Sequence, residues 1–155
     1  MTGTDDTDRR IRGFIDRFTP DIATRAHACR AAIRARLPTA LELVYDNYQA
    51  LALAFASSER QKDCVLSIAV YAKVVRLFFY YGVTLPDPEG RLPGTGNQVR
   101  SLLLDGPETL ADPAVEALIA AALLQGERPM PDHGAGMSII KSVSPNQRPR
   151  RPAGA

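Results

Sequence analysis

The chain has 155 residues, of which 45% are hydrophobic and 23% charged, a composition typical of one folded globular domain. Its formal net charge is only +2, and the basic excess lies after residue 126, so the body lacks the basic surface expected of a nucleic-acid-binding domain. No apolar run approaches the roughly 18 residues of a membrane-spanning helix and no signal peptide is recognised, which favours a cytoplasmic location.

Two amphipathic helices are predicted at the start of the chain. Apolar residues at helical spacing define the first: Ile11, Phe14, Ile15 and Phe18. The second is expected to begin with Thr19 as its N-cap and to end before Pro38. Its apolar stripe advances in steps of three or four residues: Ile22, Ala26, Cys29, Ile33 and Leu37. Each helix therefore has one face to bury against a second layer.

From Leu41 the apolar pattern changes to a period of two, which is typical of strands. Five strands are predicted, over residues 41–45, 48–56, 64–71, 74–81 and 97–104. The links Asp46-Asn47 and Ala72-Lys73 are short enough to close two hairpins. A loop rich in Pro and Gly, residues 82–96, precedes the fifth strand.

A last helix is predicted to begin with Asp112 as its N-cap and to end near Gly126. Together the elements predict an α+β fold, with a central antiparallel sheet of about five strands and two N-terminal helices and one C-terminal helix packed mainly on one face. Residues 8–126 form the predicted domain, and residues 127–155 form a tail rich in Pro and Arg. The tail is either loosely attached or docked on the body through Ile139 and Ile140.

The hairpin at Ala72-Lys73 fixes which side chains share a face of the sheet. On one face the paired positions are large and apolar, which suits packing against the helices. The other face, here called the small-residue face, is paved by Ala52, Ala54, Ala56, Ser67 and Ala69. A row of alanines is not expected in water, so we expect a cover: a ligand, a second subunit or the protein's own tail. The register of the first hairpin is left open, because a bulge or longer turn at Asp46-Asn47 would move Leu41 and Leu43 from this face to the core.

Motifs that carry chemistry are weak. Cys29 and Cys64 are expected to be buried hydrophobes, and neither a metal site nor a cofactor is predicted. No nucleophile motif is present, which favours a non-enzymatic role and leaves an enzymatic one open. Three tail arginines, Arg148, Arg150 and Arg151, could contact phosphates, but the tail has no Phe, Tyr or Trp to stack on bases. We expect weak nucleic-acid binding through the tail at most, and no membrane partner.

Several segments, taken in order, resemble a known family. They are Glu42–Tyr48, Ser67–Tyr71, Leu77–Phe79, Leu85–Pro88, Gly94–Gly96 and Val99-Arg100. In this order the segments are similar to the YdhG-like domain family, a domain of unknown function, over roughly residues 8–125. The resemblance implies helices packed on an antiparallel sheet and no established reaction. Some members of the wider family are frataxin-like iron chaperones that use exposed carboxylates. Here the acidic residues are interleaved with arginines, so no metal residue is carried over.

The sequence supports three functional hypotheses. The first is a non-enzymatic module that binds a small anionic ligand at the small-residue face, where Arg76 would pair with the anionic group. Its candidate site residues are Tyr45, Asp46, Tyr48, Tyr71, Arg76 and Arg100. The second is a homodimeric interaction protein with this face as the interface. The third is the frataxin-like iron chaperone implied by the resemblance.

Overall fold

Four α-helices pack on one mixed six-stranded sheet in the computed structural model, which describes residues 2–153. The helices are α1 (Thr2–Asp16), α2 (Pro20–Arg36), α3 (Pro107–Ala111) and α4 (Pro113–Gln125). The strands are β1 (Leu41–Asp46), β2 (Leu51–Ala56), β3 (Cys64–Val70), β4 (Val75–Phe79), β5 (Arg100–Leu103) and β6 (Ser138–Val143). None of the described helices is long and apolar enough to cross a bilayer.

The predicted α+β class is confirmed, and the sheet is larger than expected by one strand. Strands β1 to β5 form an antiparallel meander in the spatial order β5-β4-β3-β2-β1. The sixth strand, β6, comes from the segment after Gly126 and pairs parallel to β1 at the opposite edge. The sheet is therefore mixed. Of the two alternatives for the tail, the structure shows the one in which it docks on the body through Ile139 and Ile140.

The predicted hairpin between β3 and β4 is confirmed residue by residue. Ile68 lies opposite Leu77, Ala69 opposite Arg76, and Tyr71 donates its backbone N–H to the carbonyl of Val74 at 2.9 Å. The apolar face of these strands packs in one cluster with buried residues of the helices, such as Ile11, Ile33 and Leu118. The helices thus occupy the face that the alternation of apolar residues assigned to them.

The first hairpin settles the register that the sequence left open. Its loop spans residues 47–50, with Asp46 opposite Leu51, so it is two residues longer than the predicted turn. An even change in loop length keeps the same side chains on the same face. Leu43 therefore lies opposite Ala54 on the small-residue face, and Leu41 lies opposite Ala56.

Helix boundaries follow the predicted signals in most places. Asp112 caps α4, because its carboxylate accepts a hydrogen bond from the N–H of Ala114 at 2.9 Å. Thr19 precedes α2 at the predicted position, although its side chain makes no capping bond. The short helix α3 was not predicted; its five residues are too few to show a periodic pattern.

The chain reaches β6 through a close approach to the loop after α2. Gly136 donates its N–H to the carbonyl of Pro38 at 2.8 Å, and a Cβ at this position would overlap the carbonyl oxygen of Ala40. Only glycine fits here without moving the backbone. The carbonyl of Met137 then accepts from the N–H of Glu42 at 2.8 Å, which begins the parallel pairing with β1.

A buried ion pair joins α2 to β1. Arg30 donates from Nε and Nη2 to the two carboxylate oxygens of Glu42, both at 2.8 Å, and from Nη2 to Asp8 at 3.0 Å. Ser138 of β6 adds a hydrogen bond to Glu42 at 2.6 Å. Burial alone would raise the pKa of Asp8, but hydrogen bonds from Arg30 and Arg12 outweigh it and hold that pKa below its ordinary value. The cluster ties α1, α2, β1 and β6 together.

We predict that Arg30→Ala lowers the free energy of unfolding by roughly 3–5 kcal/mol, because the buried Glu42 carboxylate loses both of its hydrogen bonds to a guanidinium and keeps only the half-exposed Arg34, 3.8 Å away. Urea denaturation measures this loss. The matched control is Arg36→Ala, which removes a half-exposed pair with Glu116 and should cost at most about 1 kcal/mol. Equal losses in the two variants would contradict the prediction.

Candidate functional site

The structure separates the six candidate site residues into groups. Tyr71 and Arg76 line an open groove at the end of the sheet. Asp46 and Tyr48 contact the C-terminal segment that forms one wall of that groove. Tyr45 lies on the small-residue face, opposite Ala52. Arg100 lies apart, on the edge strand β5.

The small-residue face is filled by its own neighbours. Ala54 and Ala56 are fully buried, at 0% exposure, in a cluster with Leu43 and Cys64. Four larger, partly buried side chains pack against them: Leu41, Tyr45, Tyr80 and Ile139. The alanines therefore make room for aromatic and branched side chains of adjacent strands, and Ile139 of the tail supplies part of the predicted cover.

The raised pKa values of the buried thiols and of Tyr80 do not favour the deprotonated, reactive forms of these side chains. Burial raises the pKa of Cys64, and burial together with the adjacent Cys64 raises the pKa of Tyr80. Burial also raises the pKa of Cys29 to about 11. Both cysteines are free and buried, as predicted, so their thiols stay protonated at neutral pH. Among the described residues, no group of three or more His, Cys, Asp or Glu side chains could hold a metal ion.

Residues 144–153, here called the C-terminal strap, leave β6 and cross the end of the sheet. The strap is anchored by a buried ion pair, in which Arg150 Nη2 donates to Asp46 Oδ1 at 2.8 Å. The side chains are 3% and 2% exposed. The same guanidinium donates to the carbonyl of Asn47 at 2.6 Å and lies over the ring of Phe18, 5.5 Å from its centroid.

Further hydrogen bonds hold the strap on both sides of this anchor. The backbone N–H of Ser144 and the side-chain amide of Gln147 donate to the carbonyl of Asp46, at 2.8 and 3.0 Å. Arg148 donates its N–H to the carbonyl of Tyr48 at 2.8 Å. Arg151 donates from Nε to the carbonyl of Arg17 at 3.1 Å. The strap therefore has a defined position against α1 and the first hairpin.

The basic groove lies between this strap and the β3–β4 hairpin, with a volume of about 520 Å³. Lys73 and Arg76 stand on the hairpin side, and Arg148 and Arg151 stand on the strap side. Tyr71 and the strap prolines supply apolar surface. None of the described residues that line the groove is acidic.

The cations of the basic groove differ from most others in the chain. Elsewhere, Lys and Arg side chains mostly form ion pairs, such as Arg36 with Glu116 and Arg91 with Asp112. Those with no ion pair to a described carboxylate are Arg10, Lys73, Arg76, Arg100, Arg128, Arg148 and Arg151. Four of these line the basic groove. Positive charge is thus clustered in the basic groove, and no described carboxylate forms an ion pair with these four cations.

Arg100 has a structural role away from the groove. Its guanidinium donates to the carbonyl oxygens of Gly96 and Val99, which holds the end of the long loop. Gly82 packs so closely that a Cβ there would lie 2.5 Å from the Cβ of Arg100. This arginine is therefore occupied by its own loop.

A second cavity, of about 370 Å³, lies beside the C-terminal end of α4. Its polar groups bond mainly to one another. Gln125 donates to the carbonyl of Tyr81 at 3.0 Å and accepts from the hydroxyl of Thr84 at 2.9 Å, and Lys62 pairs with Glu127 at 4.0 Å. Its charged lining carries both signs, in contrast to the basic groove.

Only part of this site follows from the sequence. The composition of the tail indicates that its arginines could contact phosphates, but nothing in their spacing indicates that they lie beside Tyr71 and Arg76. Lys73 was assigned only to the hairpin turn. Its position in the two-residue link, three residues before Arg76, is the signal that indicates a cationic end of this hairpin.

Comparisons with models of protein families, with curated proteins and with solved structures find no match to this chain. The similarity to the YdhG-like family therefore stays a prediction that rests on the quoted segments.

We predict that Asp46→Asn loosens the strap, because Arg150 loses its buried counter-charge. Backbone amides of residues 144–153 should exchange hydrogen at least about tenfold faster, while those of β3 and β4 keep their protection. The control is Asp105→Asn, at an exposed position outside the strap and the groove. Unchanged exchange in the strap of Asp46→Asn would show that the ion pair does not hold it.

Proposed function

We propose that this protein is a non-enzymatic module that binds a small anionic ligand in the basic groove. The observation that carries the proposal is a set of four cations that share one groove and have no described carboxylate partner: Lys73, Arg76, Arg148 and Arg151. Of these, Arg151 also donates to the backbone carbonyls of Arg17 and Asp16. Proteins usually pair such charges with carboxylates or keep them apart, so the clustering of four cations in one groove favours binding of an anionic ligand.

The groove also has the form that small-molecule sites take. Its volume falls within the range of typical ligand sites, and it combines apolar walls with a few charged groups. Tyr71 and Pro149 offer flat, apolar contact, and Arg76 offers a planar guanidinium. The ligand site thus lies at the end of the small-residue face, around two of the predicted residues.

A binding role fits the remaining chemistry better than catalysis. The buried thiols have raised pKa values and stay protonated. His27 lies on the exposed surface of α1 and α2, where its ring forms a hydrogen bond with Asp16 at 2.7 Å. The described residues that line the groove include no His, Asp or Glu, the side chains most often used for general acid–base catalysis.

We predict that small anions raise the melting temperature of the wild-type protein and that Arg76→Gln weakens this effect. Loss of one charge-assisted contact should reduce affinity by about tenfold or more. The measurement is a thermal-shift titration with phosphate, sulfate, citrate and pyrophosphate at constant ionic strength.

The matched control is Arg10→Gln, since Arg10 also lacks a described ion-pair partner but lies over Phe14 on α1, away from the groove. Its titration should match that of the wild type. If no anion stabilises the protein, or if the two variants respond alike, the proposed site is wrong.

Self-association is a second candidate function, favoured by apolar side chains on the outer part of the small-residue face. Leu103, which lies opposite Arg76 on β5, is 48% exposed, and no described helix belongs to the cluster packed on this face. A second copy of the chain could cover these side chains across a two-fold axis.

If this face is a dimer interface, Leu103→Glu should convert the dimer to a monomer at tens of micromolar protein, as measured by sedimentation equilibrium. The matched control is Leu124→Glu, at a leucine of α4 that is 87% exposed and lies outside the face. It should leave the dimer intact. A wild-type protein that sediments as a monomer at high concentration would exclude this candidate.

A further inference from the structure

The cations of the basic groove belong to two segments that are far apart in the chain. Lys73 and Arg76 lie in the β3–β4 hairpin, whereas Arg148 and Arg151 lie in the C-terminal strap. The groove is therefore a gap between two positively charged walls, and those walls repel each other when the groove holds no anion.

We infer that the ligand is a polyvalent phosphate anion that bridges the hairpin wall and the strap wall. This inference rests on the proposed function and deepens it, because it names the ligand class and the geometry of binding. A single phosphate carries its charged oxygens around one phosphorus atom, whereas an extended anion carries them on separate groups that can each pair with one wall.

The guanidinium of Arg76 is arranged for such contact. Its Nε donates to the hydroxyl of Ser101 at 3.1 Å, which fixes the orientation of the side chain. Its two terminal nitrogens make no hydrogen bond to a described group, so they are free to bind phosphate oxygens in a bidentate manner.

The strap side is held in place by groups outside the groove. The backbone of Arg148 is hydrogen-bonded to Tyr48, and its guanidinium lies 5.9 Å from the centroid of the Tyr48 ring. The next anchor along the strap is the buried Arg150–Asp46 pair. The strap thus presents its cations from a fixed backbone, and the ligand does not have to order that segment first.

A bridging ligand also couples binding to the position of the strap. Any anion that contacts both walls must lose affinity when the strap detaches, and by reciprocity it must hold the strap in place when bound. An anion that contacts the hairpin wall alone has no such effect.

The test compares inorganic pyrophosphate with orthophosphate by calorimetric titration of the full chain at equal ionic strength. We expect pyrophosphate to bind at least about tenfold more tightly than orthophosphate to the wild type. Arg76→Gln and Arg148→Gln should each reduce this ratio to below about threefold, and Arg10→Gln should leave it unchanged. Lys73→Gln, at an exposed position of the hairpin wall, should lower the ratio as well without touching the strap.

Hydrogen exchange of residues 144–153 supplies the second readout. Pyrophosphate should slow exchange in the strap, and orthophosphate should not. If both anions bind with equal affinity through Arg76 and neither protects the strap, the bridging inference is wrong and the proposed function stands. If Arg148→Gln leaves the ratio unchanged, bridging is also wrong. If neither anion binds, both proposals fail.

Discussion

The two carboxylates of β1 that point toward the helices are the constraint on which the rest of the structure depends. Glu42 and Asp46 lie four residues apart on one face of the strand, with Val44 between them, and both are almost fully buried. A buried carboxylate costs several kcal/mol unless a cation and hydrogen-bond donors compensate it. Arg30 of α2 forms an ion pair with Glu42, and Arg150 of the strap forms one with Asp46. Two acidic residues therefore tie one helix and the C-terminal segment to β1.

This constraint also accounts for the parallel strand. Ser138 bonds the carboxylate of Glu42, and Ser144 bonds the carbonyl of Asp46, so the hydrogen bonds at both ends of β6 go to the same two residues. The six residues of β6, from Ser138 to Val143, then lie alongside β1. A parallel neighbour on an edge strand is unusual in a sheet otherwise made of hairpins, and here polar groups at its ends act together with the packing of Ile139 and Ile140.

Local patterns predicted most of the fold, while contacts between distant segments could not be read from the sequence. The pairing of β3 with β4 follows from a two-residue link and strict alternation, and the start of α4 follows from Asp112 and Pro113. The pairing of β6 depends on buried charges nearly a hundred residues away, which no local periodicity records. Tyr71 and Arg76 were predicted as candidate site residues. The strap residues beside them could not be predicted, because they too are distant in the sequence. The alanine row was recognised as unusual, yet which side chains fill it depends on neighbours across two strands.

The parallel pairing of β6 has a consequence for how the protein is made. A ribosome delivers β1 to β5 and all four helices before it delivers the strap, and contacts at such long sequence separation form late in folding. Until then the Asp46 carboxylate has no Arg150, and one wall of the basic groove does not exist. Strands β1 to β5 therefore leave the ribosome before the groove can form, and the groove is completed only when the last segment of the chain pairs with the β1 edge.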